Sequence, residues 1–279
     1  MTHETPALAA VIGWPVGHSK SPALHGYWLQ KHGLRGHYIP IALRPENFEA
    51  GIRALPKLGF GGANITIPYK ETVLHMASSV SDRASLIGAA NTISFRPDGS
   101  IHADNTDGYG FIENLRQTVP DWDPRSGPAL VVGAGGAAKA VVSALLTAGV
   151  PELRVANRTR ARAQNLADTY GAKVVVVDWY HLSEAVSGAK TVANTTSLGM
   201  VGQPALNISL DAAPGDALVT DIVYAPLVTP LLEQARARGL RTVDGLGMLL
   251  HQAVPGFQHW FGIRPEVDEA LRQYMLGLG

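Results

Sequence analysis

Short apolar runs alternate with stretches of helical periodicity along most of this chain. Leu8 to Ile12 is a continuous apolar run that stops at Gly13-Trp14-Pro15, which predicts a buried strand. Pro22 to Gln30 predicts the first helix, with Ser19 and Ser21 before it as capping residues. His37 to Ala42 predicts a second strand. In Pro45 to Leu55, Phe48, Ile52 and Leu55 recur at helical spacing. Gly61 to Ile67 predicts a third strand, stopped by Pro68, and Lys70 to Ala77 a short helix. Asn91 to Arg96 predicts a strand that runs into the turn Pro97-Asp98-Gly99. Strand–helix alternation of this kind implies a mostly parallel sheet covered by helices.

Asp107 to Thr118 predicts a connecting helix, and Val119 to Pro128, with three prolines, a linker. An apolar run, a glycine turn and an alanine-rich helix follow in Ala129 to Ala140, ALVVGAGGAAKA. Further strands are expected at Leu153 to Ala156, Val174 to Val177, Thr191 to Asn194, Leu218 to Ile222 and Arg241 to Asp244. That is the rhythm of a doubly wound nucleotide-binding domain. Met248 to Phe261 predicts a helix that Pro255 should kink. The expected fold is α/β. An N-terminal substrate-binding domain, 1–109, has a mostly parallel sheet. A Rossmann-type domain follows at 110–245. A C-terminal helical segment is expected at 246–279.

Composition narrows the classes of function. A chain of 279 residues with 46% hydrophobic content is long enough for one or two packed domains. Its formal net charge is zero, so no global field attracts nucleic acid or an anionic membrane. Without cysteine there are no disulfides, thiolate metal sites or cysteine nucleophiles. No apolar run reaches membrane-spanning length. The N-terminus lacks the basic start of a secretory leader and reads as a first strand, so a cytoplasmic protein is expected. The ten histidines form no His-x-x-x-His or His-Glu-x-x-His pair, and no metal is expected. A homodimer is compatible with the sequence, which fixes no oligomeric state.

The glycine turn is the first candidate site. Gly133, Gly135 and Ala138 fill a G-x-G-x-x-G/A pattern between a strand and a helix. Glycine there permits a tight turn and lets a pyrophosphate approach the backbone, at a helix start whose N–H groups favour an anion. The end of the next strand discriminates between cofactors. An acidic residue there would bind a ribose 2′-hydroxyl, but this chain has Asn157 and Arg158, followed by Arg160 and Arg162. Guanidinium groups pair with a 2′-phosphate, which points to NADP. The alternative is that these arginines are the solvated start of a helix.

Four polar stretches precede the linker: Gly17 to Pro22, Asn64 to Lys70, Gly88 to Thr92 and Asp104 to Asp107. Each lies by a strand end or a helix start, where open parallel sheets bind ligands. Ser19 and Ser21 suit a carboxylate, and Asn64, Thr66 and Asn91 suit hydroxyl groups. Lys70 and Asp107 add a cation and an anion. Reduction of a ketone leaves an alkoxide that needs a proton, and a lysine can deliver it. The structural alternatives are caps at Ser19, Ser21 and Asp107, strand-end cover at Asn64 and Thr66, and a solvated surface lysine at Lys70.

Together the segments GWPVGHSKSP, NITIPYK, GAANT, DNTDGYGF, GAGGAAKA, ANRT, NTTSLGM, DIVYAPLVTPLL and DGLGMLLHQA resemble the shikimate dehydrogenase family nearly end to end. The resemblance implies reversible reduction of 3-dehydroshikimate to shikimate with NADPH, on the route to chorismate and aromatic amino acids. It implies that Ser19 and Ser21 bind the substrate carboxylate and that Thr66, Asn91, Asp107 and Gln252 bind its ring hydroxyls, so that the C-terminal helical segment, 246–279, returns to the first domain. Lys70 becomes the acid–base residue with Asp107 as its partner, and Tyr224 borders the substrate. Gly133, Ala134, Gly135, Gly136 and Ala137 hold the pyrophosphate, and Asn157, Arg158, Thr159 and Arg162 the 2′-phosphate end. Ile222, Gly245 and Met248 flank the nicotinamide, and Asp82 approaches the cofactor. Trp14 and Gly26 depart from the family pattern, which usually has asparagine at both places. The readings beside this one are a quinate/shikimate dehydrogenase of broader specificity and a non-catalytic NADP-binding regulator of the same fold.

Overall fold

The structure, a computed structural model, describes residues 7–278. They form two compact units. Unit 1 comprises the described residues up to Thr106 together with those from Gln252 onward, and unit 2 is Asp107–His251.

Unit 1 contains β1 (Ala7–Gly13), α1 (Ser21–Lys31), β2 (Gly36–Ala42), α2 (Phe48–Ala54), β3 (Phe60–Ile65), α3 (Thr72–Met76), β4 (Ser79–Val80), α4 (Asp82–Ile87), β5 (Thr92–Phe95) and β6 (Ile101–Asp104). The sheet order is β2-β1-β3-β5-β6-β4. β1 pairs in parallel with both β2 and β3. A strand covered on both sides has little use for polar alternation, and β1 is apolar throughout, with Ala9 to Ile12 buried.

β5 runs antiparallel to β3 and to β6. The turn predicted at Pro97 to Gly99 therefore closes a hairpin, with Gly99 in the left-handed region and its N–H donating to Arg96 O at 2.8 Å. The reversal brings the start of β5 to the edge where β1, β3 and β6 end. β4, α4 and β6 have no counterpart in the sequence reading, because segments of two to six residues are too short for a period to show. The predicted serine caps on α1 are corrected. Lys20 precedes the helix and no side chain caps it; Ser19 Oγ instead accepts the Ser21 N–H at 3.3 Å.

Unit 2 contains α5 (Asp107–Thr118), β7 (Ala129–Val132), α6 (Gly136–Ala148), β8 (Leu153–Ala156), α7 (Arg160–Tyr170), β9 (Val174–Val177), α8 (Leu182–Ala185), β10 (Thr191–Asn194), β11 (Leu218–Asp221), α9 (Pro230–Ala237) and β12 (Arg241–Val243). Its sheet is parallel throughout, in the order β12-β11-β10-β7-β8-β9. The chain builds outward from β7 in one direction and then returns to its other side with β10. The switch point, where open α/β sheets bind ligands, thus lies between β7 and β10.

α10 (Leu246–Phe261) continues as helix on both sides of Pro255, and α11 (Glu269–Leu276) follows it. Within unit 1, Phe257 and Trp260 of α10 join His25, Trp28 and Tyr38 in an aromatic cluster. The Trp260 indole N–H donates to Ile93 O at 3.2 Å.

Candidate active site

In unit 1 the polar stretches emerge at one edge of the sheet. The loop after β1 carries Ser19, half-buried, and leads to Ser21, buried at the start of α1. The loop after β3 carries Thr66 and Lys70, both half-buried. It is tied to its neighbours by backbone: Thr66 N–H donates to Ile12 O at 2.9 Å, and Ala90 N–H to Lys70 O at 2.7 Å. Asn91 enters β5 from the same edge, its N–H on Asp104 O at 3.0 Å.

Register across the strands places Asn64 opposite Thr92, and Thr92 opposite Asp104. Asn91 is 3% exposed and its side-chain oxygen accepts from Thr106 N–H at 2.8 Å. Its amide nitrogen donates to Gln252 Oε1 at 3.3 Å. Gln252 thus joins the residues predicted with it, although 161 positions separate it from Asn91. Asp104 is held by Ser81 and by a two-pronged ion pair with Arg83. Burial opposes its ionisation, but Arg83 and Ser81 win and hold the carboxyl below its ordinary range. Asp107 is the first residue of α5 and half-buried. Asp82 is exposed on the first turn of α4.

In unit 2 the glycine turn follows β7. Gly133 has φ +118°, and a Cβ there would lie 2.6 Å from Thr195 Oγ1. Glycine is required on both counts. Gly135 and Gly136 face open space at the first turn of α6, with Ala134 and Ala137 beside them. Open space beside free helix-start N–H groups fits a pyrophosphate. At the end of β8, Asn157 Nδ2 donates to Thr159 O at 2.9 Å. Arg158, Thr159 and Arg162 are exposed. Arg160 leans toward Asp178, 3.9 Å away, whereas Arg158 and Arg162 have no ion pair among the described residues. Two uncommitted guanidinium groups at that strand end fit a 2′-phosphate.

Ile222 and Gly245 lie together, since a Cβ on Gly245 would sit 2.2 Å from Ile222 O. Met248 and Ile222 pack on the same apolar cluster. Tyr224 follows on the β11 loop, 36% exposed, and partial burial raises its phenol above the ordinary value.

Two groups were not read from the sequence. The hydroxyls of Thr92 and Thr106 both donate to Asn91 Oδ1. In unit 2, Asn194 Nδ2 donates to buried Asp221 at 3.0 Å, and Asp221 also accepts Val223 N–H and the Thr229 hydroxyl. Burial raises the Asp221 carboxyl despite these donors. The signal for such residues is a polar side chain closing an otherwise apolar strand. The described residues hold no group of three or more histidines and carboxylates placed to bind a metal. No helix among them is long and apolar enough to cross a membrane.

Three family models match the chain in sequence: the shikimate dehydrogenase substrate binding domain over residues 11–93, shikimate / quinate 5-dehydrogenase over 116–247, and the shikimate 5'-dehydrogenase C-terminal domain over 245–273. A shikimate dehydrogenase (NADP(+)) of Paracoccus denitrificans is 61% identical over 96% of this chain and 95% of its own. The structure of a Thermus thermophilus shikimate 5-dehydrogenase in complex with NADP(H) and shikimate superposes with TM-score 0.85 at 35% identity, covering 97% of this chain and 99% of that one. A quinate dehydrogenase of Corynebacterium glutamicum in complex with NAD superposes with TM-score 0.90 at 34% identity, covering 98% and 99%.

Proposed function

Because the chain belongs to the shikimate dehydrogenase family, we propose that it binds shikimate or 3-dehydroshikimate, and NADP, through the residues named above. The enzyme is an NADP-dependent oxidoreductase of aromatic biosynthesis. The observation that carries the residue assignment is the common edge of unit 1. Ser19, Thr66, Lys70 and Asn91 emerge there, with Gln252 hydrogen-bonded to Asn91.

NADPH, when bound, supplies the hydride. Everything else falls to side chains. Ser19 and Ser21 present hydroxyl donors to the substrate carboxylate. Thr66, Asn91, Asp107 and Gln252 take the ring hydroxyls and fix the ring. As the ketone carbon is reduced, negative charge grows on its oxygen, and Lys70 Nζ delivers a proton there. In the oxidative direction Lys70 removes that proton. Asp107 is the carboxylate that works with Lys70. Tyr224 borders the substrate, while Ile222, Gly245 and Met248 form the apolar bed for the nicotinamide. Gly133 to Ala137 hold the pyrophosphate, and Asn157, Arg158, Thr159 and Arg162 the 2′-phosphate. Asp82 is the outlying member of the cofactor set. A cytoplasmic site of action suits a cysteine-free biosynthetic enzyme.

A quinate reading has one observation in its favour, the TM-score of 0.90 to a quinate dehydrogenase. The strand end after β8 opposes it, because Asn157 and Arg158 stand where an NAD enzyme places an acid. Steady-state kinetics with shikimate and quinate, each against NADP⁺ and NAD⁺, decide. Shikimate with NADP⁺ should dominate. Faster turnover of quinate with NAD⁺ would replace the proposal, and no turnover at all would leave a binding protein.

A further inference from the structure

A buried carboxamide has two ways round, and the hydrogen bonds about Asn91 admit only one. The Thr106 backbone N–H can only donate, and it meets Asn91 Oδ1 at 2.8 Å. The hydroxyls of Thr106 and Thr92 reach the same oxygen at 3.1 and 3.0 Å. Thr92 Oγ1 in turn accepts from Asn64 Nδ2 at 3.1 Å, and Asn64 Oδ1 accepts the Tyr38 phenol at 2.6 Å. Donation thus runs one way, from Tyr38 through Asn64 and Thr92 to Asn91. All five residues are buried, where a reversed amide would set donor against donor.

We propose that Thr92 and Thr106 are positioning residues. By saturating Asn91 Oδ1 from inside the protein, they make Asn91 a donor toward the ligand and never an acceptor. Gln252 Oε1 accepts from that same NH₂ group, which fixes the amide from its other side. Asn91 then favours a ligand oxygen that accepts, and that hydroxyl sends its own proton to another group. The inference rests on the proposed reading of Asn91 and Gln252 as substrate-binding residues. It adds why the Asn91 amide discriminates an oxygen from an N–H group at the same ring position.

The test is steady-state oxidation of shikimate by the full chain. Thr92→Val keeps the side-chain shape but loses both the acceptor for Asn64 and the donor to Asn91. The KM for shikimate should rise about two- to ten-fold, the range of one hydrogen bond, with kcat and the KM for NADP⁺ changed less than about two-fold. Thr92→Ser should restore the wild-type KM. An unchanged KM for shikimate overturns the proposal. So does an equal rise in both Michaelis constants, or a rise that serine does not rescue. Should Thr92→Val fail to fold, Thr106→Val decides by the same readout, because it keeps the backbone N–H and loses only the hydroxyl. A wild-type enzyme that does not oxidise shikimate would refute the substrate reading itself, a result distinct from any of these.

Discussion

The imidazole of His25 lies flat on the ring of Tyr38, with centroids 3.8 Å apart and planes 1° from parallel. His25 is fully buried, and neither ring nitrogen has a hydrogen-bond partner among the described residues. Burial lowers its pKa from 6.5 to about 3, with a smaller opposing influence from Asn64. In the folded protein it is therefore neutral, and between pH 6.5 and about 3 the unfolded chain binds the extra proton. This contribution is whole above pH 6.5 and lost as the pH falls through that window. The maximum slope is about 1.4 kcal/mol per pH unit. Urea unfolding from pH 7 to pH 4 should show the loss, and His25→Phe, which keeps the stack, should flatten it. The same pH slope in both proteins would assign the acid sensitivity elsewhere.

Lys70→Ala should lower kcat by about 10²–10⁴-fold, the usual contribution of a positioned acid–base group. Shikimate should still bind, as read by calorimetry or fluorescence titration. Near-normal turnover would remove Lys70 from the chemistry.

Arg158→Ala should raise the KM for NADPH roughly ten-fold, the loss of one charge-assisted hydrogen bond. The KM for NADH should hardly move, because NADH has no 2′-phosphate for Arg158 to meet. A parallel rise for both cofactors would mean that Arg158 supports the fold of the loop and not the phosphate.

Two glycines should respond in opposite directions to alanine. Gly26 sits inside α1 and a Cβ there meets nothing within 4 Å. Gly26→Ala should stabilise the protein by about 0.5–1 kcal/mol. At Gly245 the new Cβ would lie 2.2 Å from Ile222 O, and backbone cannot move aside cheaply. Gly245→Ala should destabilise by about 1–3 kcal/mol and weaken NADPH binding. Thermal unfolding of the pair checks both signs at once.

Where the sequence was legible, burial explains why. β1 and β7 lie between neighbours on both sides, so they read as unbroken apolar runs. The second hairpin strand is short and mixes polar with apolar residues, Ile101-His102-Ala103-Asp104, and it vanishes beside the turn before it. The same contrast holds for the site. Ser19, Thr66, Lys70 and Asn91 stand beside strand ends, where a polar residue is conspicuous. Thr92 and Thr106 matter through a register that pairs Thr92 with Asn64 and Asp104. No local pattern announces a partner 28 positions away. Asp221 is legible only once Asn194 and Thr229 are seen around it.

The discontinuity of unit 1 has a bearing on biogenesis. Unit 2 is one unbroken stretch, Asp107–His251, whereas unit 1 is completed by residues beyond it. Phe257 and Trp260 supply part of the wall around His25 and Trp28. Domains usually mature from the N-terminus as they leave the ribosome. In this chain the order should invert: the later-made unit has all its parts first, and the earlier-made one waits, its aromatic cluster open, for the last helices to emerge. Emergence of α10, and not the synthesis of its own strands, then marks the moment unit 1 can close.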